Sequence, residues 1–372
     1  MTTQEKLKNI RDELKQMFLE RADLLDGALA ALLSSHHLLI IGPPGTAKSM
    51  LADELCRRIE GADYFQWLLT RFTTPEEIFG AVSLKALEQD DYRRVTARKL
   101  PEAHIAFLDE IFKANSSILN AILTLINERL FHNGKEVTRV PLLTLFGASN
   151  ELPEEEELTA LYDRFLVRFV VNYISEDFRF LRMLESQTQP KRTTLTLTEL
   201  NELQREVRAV SIPSYVYRGI ADIRRELNKK NISASDRRYR QCLALLQAHA
   251  FLGGQGEVQE KDLLFLEHVL WRDPAEHEQV RNTIRELLLG YEEEITELLY
   301  ESREIRDSAL QTSKSSDERA RALIELHTKL RNILIKVDQI MEKAKRLGRP
   351  LDRVNSVRGE IEHLQKEMLE QF

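Results

Sequence analysis

One stretch of the sequence decides the fold: Leu38-Leu39-Ile40-Ile41-Gly42-Pro43-Pro44-Gly45-Thr46-Ala47-Lys48-Ser49. It begins with four apolar residues and continues into a turn rich in glycine and proline, which is typical of a buried parallel strand and its exit. A helix is predicted directly after the turn, from Ser49 to Ile59. A strand, a glycine-rich turn and a helix in this order form the context of a phosphate-binding loop.

The turn supplies the groups that a phosphate needs. Backbone N–H groups from Gly45 through Ser49 are expected to face a β-phosphate, and the helix N-terminus adds partial positive charge. Lys48 is expected to reach the β- and γ-phosphates, and the Ser49 hydroxyl to bind Mg²⁺. Ala47 stands where the general pattern has glycine. The predicted nucleotide-binding residues are Gly42, Pro43, Pro44, Gly45, Thr46, Ala47, Lys48 and Ser49, with Asp109 from the next motif.

A second motif, Ile105-Ala106-Phe107-Leu108-Asp109-Glu110, follows further along the chain. Its apolar residues predict another buried strand, and the two carboxylates come at the carboxyl end, where α/β sheets bind ligands. Asp109 is expected to hold Mg²⁺ through its water shell, and Glu110 to orient or deprotonate an attacking water. An isolated Asp-Glu pair is often only a helix cap, but the preceding phosphate loop favours the catalytic interpretation.

Two later positions extend the predicted site. Asn150 ends a further apolar strand, and its amide can hold a water against a γ-phosphate; a simple turn residue is the alternative. Arg164, in Asp163-Arg164-Phe165, has no evident partner in its own site and is assigned to the γ-phosphate of a neighbouring subunit. A local ion pair with Asp163 is the alternative for Arg164, and Arg168 is a weaker candidate for the same interface.

The remaining apolar patterns divide the chain into an α/β part and a helical part. Spacings of three and four predict a helix over residues 1–36. Strands and helices alternate over roughly 30–175, which is typical of a parallel sheet. The other predicted elements are strands at Leu142–Phe146 and Val167–Val171 and a helix at Ser116–Arg129. From residue 195 helices dominate, first in a compact block to 272.

The segment 275–372 carries three apolar series at heptad spacing, which begin at Val280, Leu330 and Leu351. Gly348 and Pro350 predict a helix boundary between the last two series. Two interpretations stay open. The helices form an antiparallel bundle that packs on itself, or they form a coiled-coil arm that projects toward a partner.

Composition narrows the class of protein. The 372 residues suggest two or three domains, and 42% hydrophobic with 30% charged residues favours folded cores over disorder. No apolar stretch is long enough for a membrane span and the first residues lack a signal-peptide pattern, so we expect a cytoplasmic protein. Cys56 and Cys242 are too few for a disulfide framework. The net charge of −7 argues against general nucleic-acid binding.

Three other features are interpreted as structural. Glu154–Glu157, after Pro153, complement the dipole of a predicted helix, with partner binding as the lesser alternative. A basic cluster is formed by Arg237, Arg238 and Arg240, but no aromatic stacking platform for nucleic acid accompanies it. We predict no transition-metal site, because four histidines show no metal-ligand spacing with Cys or carboxylate residues: His36, His37, His104 and His132.

In this order and spacing, the phosphate loop, the Asp-Glu strand, the Asn-terminated strand and the Asp-Arg-Phe segment resemble an AAA+ ATPase. More narrowly, GPPGTAKS, FLDEIFKAN, ILTLINER and LYDRF resemble the MoxR family and, within it, the RavA group. The resemblance covers about residues 20–272, and this family commonly tolerates Ala47 before the loop lysine. It implies an α/β AAA+ P-loop NTPase core with a parallel sheet, a helical lid and, in this chain, a mainly helical C-terminal extension.

The resemblance also implies a domain organisation: an N-terminal helical segment (1–36), the nucleotide-binding core (37–190), the lid (191–273) and the helical extension (274–372). Within the core it implies a helix-2 insert at about 71–101, with a hairpin around Gln89-Asp90-Asp91. A second hairpin, before the sensor strand, corresponds to about 130–141 with its turn at Asn133-Gly134.

In the lid, the family's sensor arginine corresponds to Arg237 in Ser235-Asp236-Arg237. Because Asp236 replaces the more usual proline, Arg238 is a possible substitute. The catalytic residues implied by motifs and resemblance together are Glu110, Asn150, Arg164 and Arg237, with Ser49 and Asp109 as the Mg²⁺ ligands.

By resemblance the chain is expected to hydrolyse ATP with Mg²⁺, to form a hexameric homo-oligomeric ring, and to remodel a protein client, often with a von Willebrand factor A (VWA) domain partner. The β-rich domain that longer RavA-type members insert is not evident in 274–372. One alternative is nucleic-acid remodelling, which the acidic tip at Asp90 and Asp91 disfavours. The other is a scaffold whose assembly is switched by the nucleotide.

Overall fold

The computed structural model describes residues 1–151, 161–174, 180–181, 183–184, 192–310, 316–347 and 351–369. The chain forms two compact units. The first contains Met1–Ile212, Ser235–Val258 and His268–Leu270, and the second contains Pro213–Ala234, Gln259–Glu267 and Trp271–Phe372. The predicted acidic helix start at Glu154–Glu157 lies outside the described residues.

The strands are β1 (Leu38–Ile41), β2 (Ile59–Glu60), β3 (Tyr64–Leu68), β4 (Ile105–Asp109), β5 (Leu130–Asn133), β6 (Glu136–Arg139), β7 (Thr144–Ser149), β8 (Val167–Val170) and β9 (Leu195–Thr196). The α-helices are α1 (Thr3–Met17), α2 (Ala22–Ser34), α3 (Lys48–Arg57), α4 (Pro75–Phe79), α5 (Leu84–Leu87), α6 (Ser116–Glu128), α7 (Leu197–Ala209), α8 (Ser214–Lys229), α9 (Asp236–Leu252), α10 (Pro274–Leu310), α11 (Ser316–Leu347) and α12 (Asp352–Leu369). Short 3₁₀ turns lie at Leu100–Glu102, Ile111–Lys113 and Glu260–His268.

The first unit is built on a parallel five-stranded sheet in the order β3-β4-β7-β1-β8. Every residue of β1 and β7 is buried, which explains their uninterrupted apolar character, since both faces of such a sheet are covered. The register pairs Ile41 with Ser149 and Leu108 with Gly147, so β1, β4 and β7 end at one edge. The strand expected at Leu142–Phe146 lies a few residues later, and its end therefore reaches this edge.

The helical character predicted for residues 1–36 is confirmed, but it is divided between two helices because the chain turns between α1 and α2. Phe18 ends α1 in an extended conformation and Glu20 adopts a left-handed one. Phe18 is buried, so the apolar period continues through the turn and gives no sign of it. Helix α2 is buried from Leu24 to Leu33, which makes it a central element of the first unit.

The helix-2 insert contains less hairpin than expected. Its antiparallel pairing is an isolated bridge between Val82 and Arg94. Between these residues the chain forms the one-turn helix α5, since Leu84–Leu87 are good helix formers and the Ser83 hydroxyl accepts the Ala86 N–H at 3.4 Å. The sequence reasoning missed this helix because a single turn leaves no measurable period.

The second predicted hairpin is confirmed as β5 and β6. Its register pairs Asn133 with Glu136, so the two turn residues are Gly134 and Lys135, one position later than expected. Gly134 has a φ of 64°, a conformation that glycine adopts without strain.

The tips of the two inserts are joined. The Arg94 N–H donates to Asn133 Oδ1 at 2.7 Å, and Asn133 Nδ2 donates back to the Arg94 carbonyl at 3.1 Å. Arg93 also pairs with Glu136 at 2.8 Å. The helix-2 insert and the β5–β6 hairpin therefore form one composite element, although the sequence placed them in separate segments.

In the second unit, α10, α11 and α12 pack on one another around a shared apolar core. This packing agrees with the bundle interpretation of the three heptad series. The core residues are Ile295, Leu298, Leu299, Leu330, Ile333, Val337, Ile340, Val354, Val357 and Ile361. Helix α8 belongs to the same unit and contacts α10.

Two further observations concern the whole described chain. Within the described ranges, no helix is both long enough and apolar enough to cross a membrane. Cys56 and Cys242 are both buried and free, and burial raises the pKa of each thiol to about 12.

Candidate active site

The turn after β1 has the backbone of a phosphate loop. Gly42 donates its N–H to the Ser149 carbonyl at 3.0 Å, and a Cβ there would collide with the Val171 carbonyl oxygen. Gly45 has a φ of 79° and faces open space. Ala47 has a φ of 63°, so it adopts the left-handed conformation that glycine has in the general pattern. This conformation costs an alanine about 1–2 kcal/mol.

Lys48 is folded back over this loop and is 7% exposed. Its Nζ donates to the carbonyls of Gly42 at 2.6 Å and Pro43 at 3.0 Å, and to Asn150 Oδ1 at 3.2 Å. Burial lowers the pKa of Lys48, while Asp109 and Glu110 act in the opposite direction. The ammonium therefore has an acceptor for each of its three protons.

The two carboxylates lie at the end of β4, at the same edge. Asp109 is the last residue of the strand, and its Oδ1 accepts the Glu110 N–H at 3.0 Å. Glu110 has a φ of 49°, a left-handed conformation that turns the chain sharply after the strand. Its Oε1 accepts Asn150 Nδ2 at 2.5 Å, and its Oε2 lies 3.2 Å from Lys113 Nζ. Lys113 was not singled out in the sequence, although its i,i+3 spacing from Glu110 is a signal for this contact.

The structure thus brings three predicted residues into one chain of contacts: Lys48 to Asn150 to Glu110. They come from different parts of the sequence and meet because β1, β4 and β7 end together. Thr46 supports the loop from within, since its hydroxyl donates to the Pro43 carbonyl at 2.9 Å.

Ser49 and Asp109 are both half-buried and lie at this edge, in the first turn of α3 and at the end of β4. Their hydroxyl and carboxylate oxygens are the donor type that Mg²⁺ prefers. Among the described residues no group of three or more His, Cys, Asp or Glu side chains can hold a metal by itself. The arrangement fits an ion that takes one or two protein ligands and completes its shell with phosphate oxygens and water.

Arg168 does not fit the role of an arginine that reaches a neighbouring site. It is 1% exposed, its guanidinium lies 3.9 Å from the centre of the Tyr162 ring, and its Nη2 donates to the Tyr162 carbonyl at 3.1 Å. Arg164 is half-buried in the helical residues 161–164, and its Nε is buried without a hydrogen-bond partner among the described residues. Arg164 is therefore the remaining candidate for the arginine that reaches a neighbouring site.

The structure also distinguishes between the two candidates for the sensor arginine, Arg237 and Arg238. Arg238 is buried, and its guanidinium donates to backbone carbonyls, among them those of Leu166 and Phe165. It cannot also act as a phosphate sensor. Arg237, the second residue of α9, is exposed. Arg238 is therefore wrong as a substitute sensor, because its side chain is used by the first unit's own backbone.

The fold and this constellation define an AAA+ ATPase. A family model described as the MoxR domain in the MoxR-vWA-beta-propeller ternary systems matches residues 5–206, and an AAA lid domain model matches residues 215–284. The chain belongs to the MoxR family of AAA+ ATPases.

Similar proteins are known from several organisms. An uncharacterised protein of Methanocaldococcus jannaschii is 39% identical to this chain. The aligned region covers 97% of this chain and 98% of that protein. The chaperone MoxR1 of Mycobacterium tuberculosis is 29% identical over 44% of each chain. A solved structure of an ATPase candidate from Cytophaga hutchinsonii superposes with a TM-score of 0.62 at 16% identity, covering 77% of this chain and 94% of that one, which shows the fold.

Proposed function

We propose that this AAA+ ATPase hydrolyses ATP with Mg²⁺ in a hexameric ring and uses the energy to remodel protein complexes. The observation that carries the proposal is the chain of contacts from Lys48 through Asn150 to Glu110 at the carboxyl edge of the sheet. A cation, an amide and a carboxylate in this order match the needs of γ-phosphate binding, water orientation and proton removal.

The roles of the site residues follow from their positions. The loop Gly42–Ser49 holds the phosphates through its N–H groups, and Lys48 exchanges the Gly42 and Pro43 carbonyls for phosphate oxygens. Ser49 and Asp109 would hold Mg²⁺, which would neutralise phosphate charge. Glu110 accepts a proton from the attacking water, which the Asn150 amide orients.

Arg164 and Arg237 complete the proposed site from two subunits. Arg237 of the lid senses the γ-phosphate of its own subunit, and Arg164 reaches that of the neighbour. The support for Arg164 is that its alternative, Arg168, is committed to Tyr162.

Mixing two impaired variants tests this arrangement. Lys48→Ala removes the loop lysine but keeps Arg164, whereas Arg164→Ala keeps an intact loop. Each variant alone is expected to lose most of its activity, and Arg164→Ala is expected to keep a small residual turnover that can be measured. In randomly mixed rings, about one interface in four pairs an intact loop with an intact arginine, so part of the activity returns. Mixtures that are no more active than the separate variants after verified subunit exchange contradict the shared site.

For the client, we propose a protein complex that is recognised with a VWA-domain partner. The description of the matching family model names such a partner, and the relative from M. tuberculosis is described as a chaperone. The assignment to the RavA group stays a prediction, as do the domain boundaries and the cytoplasmic location. The β-propeller named in the same description suggests a second protein to test.

The composite element at the insert tips argues against a nucleic-acid client. Arg93 is paired with Asp91 at 3.1 Å and with Glu136 at 2.8 Å, and Arg94 is paired with Glu76 at 3.0 Å. Arg93 and Arg94 therefore already have carboxylate partners, which disfavours their contact with a phosphate backbone.

An ATP-trapped pull-down tests the client class. Tagged Glu110→Gln protein is held with ATP and Mg²⁺ and recovered from lysate with and without nuclease, and Lys48→Ala serves as the control. We expect ATP-dependent enrichment of a protein that survives nuclease. Enrichment that vanishes with nuclease supports nucleic-acid remodelling. Very slow turnover with strong nucleotide-dependent oligomerisation supports a scaffold instead.

A further inference from the structure

Arg238 makes an unusual set of contacts for a charged residue. It is the third residue of α9 and is 3% exposed. Its guanidinium donates to four backbone carbonyls: Leu166 at 2.7 Å, Val269 at 2.9 Å, Phe165 at 3.0 Å and Asp163 at 3.1 Å. Three of these carbonyls belong to residues 163–166, which run from the end of the helical residues 161–164 into β8.

The position of these carbonyls explains the need for an arginine. The last carbonyls of a helix have no partner within it, and a buried carbonyl without a partner costs about 1–3 kcal/mol. A guanidinium carries five N–H donors in a fixed plane, so one side chain serves several carbonyls at once. Asp163 supplies a carboxylate oxygen at 3.4 Å from Arg238, but its side chain is 44% exposed. The main partners of Arg238 are therefore neutral backbone groups.

The same residue fixes the start of α9. Ser235 is the N-cap, and its hydroxyl accepts the Arg238 N–H at 3.3 Å. Arg237 is the residue before it and is exposed. Successive residues differ by about 100° around a helix, so adjacent arginines face different surroundings. Arg164 lies within the segment whose carbonyls Arg238 holds. One buried guanidinium thus connects the backbone on either side of Arg164 with the helical turn that carries Arg237.

We propose that Arg238 is a positioning residue that couples these two arginines. It holds the segment with Arg164 and the start of α9 as one rigid element. When Arg237 responds to the nucleotide of its own subunit, Arg164 shifts at the site of the neighbour. The proposal rests on the proposed function for the roles of Arg164 and Arg237. Misplacing a catalytic group by 1 Å can cost about 100-fold in rate, so a small displacement is sufficient.

The test compares Arg238→Lys in two backgrounds, the natural protein and Arg164→Ala. Lysine keeps the charge but loses the planar set of donors. The matched control is Arg129→Lys, because Arg129 also donates to backbone carbonyls, those of Leu142 at 2.6 Å and Ser35 at 2.8 Å. Its contacts lie elsewhere in the first unit. The quantities measured are kcat, KM for ATP and the melting temperature.

We expect Arg238→Lys to lower kcat about tenfold or more while KM stays within about twofold, since the phosphate loop is untouched. In the Arg164→Ala background the same change is expected to lower kcat less than about twofold, because it acts through the missing arginine. Arg129→Lys is expected to have the same effect on kcat in both backgrounds. Equal fold-losses for Arg238→Lys in both backgrounds overturn the proposal.

Two outcomes separate this proposal from the proposed function. Full kcat in Arg164→Ala contradicts the role of that arginine in the shared site. The cycle is then repeated with Arg237→Ala, where additive losses overturn the coupling. If Arg238→Lys does not fold, Arg238→Gln replaces it, with hydrogen exchange of residues 161–171 and 235–242 as the readout. Faster exchange in both segments supports the role of Arg238 in holding them together, and unchanged exchange in either segment overturns it.

Discussion

The carboxyl edge of the sheet and the α10–α12 bundle hold charge in opposite ways. At the sheet edge Lys48 is buried, and Asn150 connects it with Glu110. In the bundle the buried cluster is apolar, and an ion pair such as Arg303 with Glu360 is exposed at the surface. Exposed pairs contribute about 0–1 kcal/mol, whereas buried charges cost several kcal/mol to desolvate. The buried lysine at the sheet edge therefore carries a desolvation cost that fits its proposed role in phosphate binding, whereas the apolar core of the bundle carries no such cost.

The largest expected effect separates the two regions by activity. Glu110→Gln keeps the Asn150 contact but removes the proton acceptor, so kcat is expected to fall about 10²–10⁴-fold while ATP binding persists. Ile361→Ala, in the core of the bundle, is expected to leave kcat within about twofold. Turnover and equilibrium ATP binding are measured on both variants. Near-normal turnover of Glu110→Gln would falsify the assignment of the water-activating residue.

Stability gives the reverse comparison. Ile361 and Ile40 are both fully buried, one in the bundle and the other in β1 just before the phosphate loop. Replacing either with alanine is expected to lower the free energy of unfolding by about 2–5 kcal/mol. Only Ile40→Ala is expected also to weaken ATP binding, because the loop starts two residues later. Denaturant melts measure the stability of both variants, and ATP titrations measure their affinity for ATP. A loss of ATP binding in Ile361→Ala contradicts the expectation that the bundle core does not affect the phosphate loop.

A smaller loss is expected at Asn150. Asn150→Ala removes the donor to Glu110 Oε1 and the acceptor for Lys48 while leaving both charges in place. We expect kcat to fall about 10–100-fold through loss of water orientation, with a smaller change in KM. Steady-state kinetics on the variant test this. A rise in KM alone, at unchanged kcat, shows that Asn150 serves binding rather than chemistry.

The smallest expected effect concerns pH. His37 accepts the Leu145 N–H through Nδ1 and contacts the Ile126 carbonyl through Nε2, which requires the neutral ring. Burial keeps the pKa of His37 well below 6.5 and lowers that of His36 to about 4. The unfolded chain takes up these protons below its own pKa, so stability is complete above pH 6.5 and falls as the pH decreases. The slope is up to about 1.4 kcal/mol per pH unit for each histidine.

Denaturant melts between pH 5 and 7.5 measure this slope. His37→Gln keeps an amide donor and acceptor but cannot titrate, so its slope is expected to be shallower than that of the natural protein. Equal slopes for His37→Gln and the natural protein exclude His37 as the source.

Sequence patterns alone were sufficient to predict the parallel sheet, the phosphate loop, the order of the site residues and the C-terminal helices. These features follow from short patterns that report burial and local conformation. Examples are the apolar strand with Ile40 before the loop, Asp109 at the end of its strand, and the heptad spacing from Leu330. The sequence patterns missed the turn at Glu20, because the apolar period continues through it, and the single turn of α5. Local patterns carry no information about contacts that are distant in the chain.

The tertiary structure alone decided which member of each arginine pair is turned inward. Arg237 and Arg238 are adjacent and chemically identical, and both Arg164 and Arg168 are candidates for one role in the sequence. Arg238 is buried because the carbonyls of Phe165 and its neighbours, which accept its N–H groups, lie on its side of α9. Only the folded backbone shows which buried carbonyls need a side-chain donor, and the arginine whose N–H groups reach them is the one that is buried.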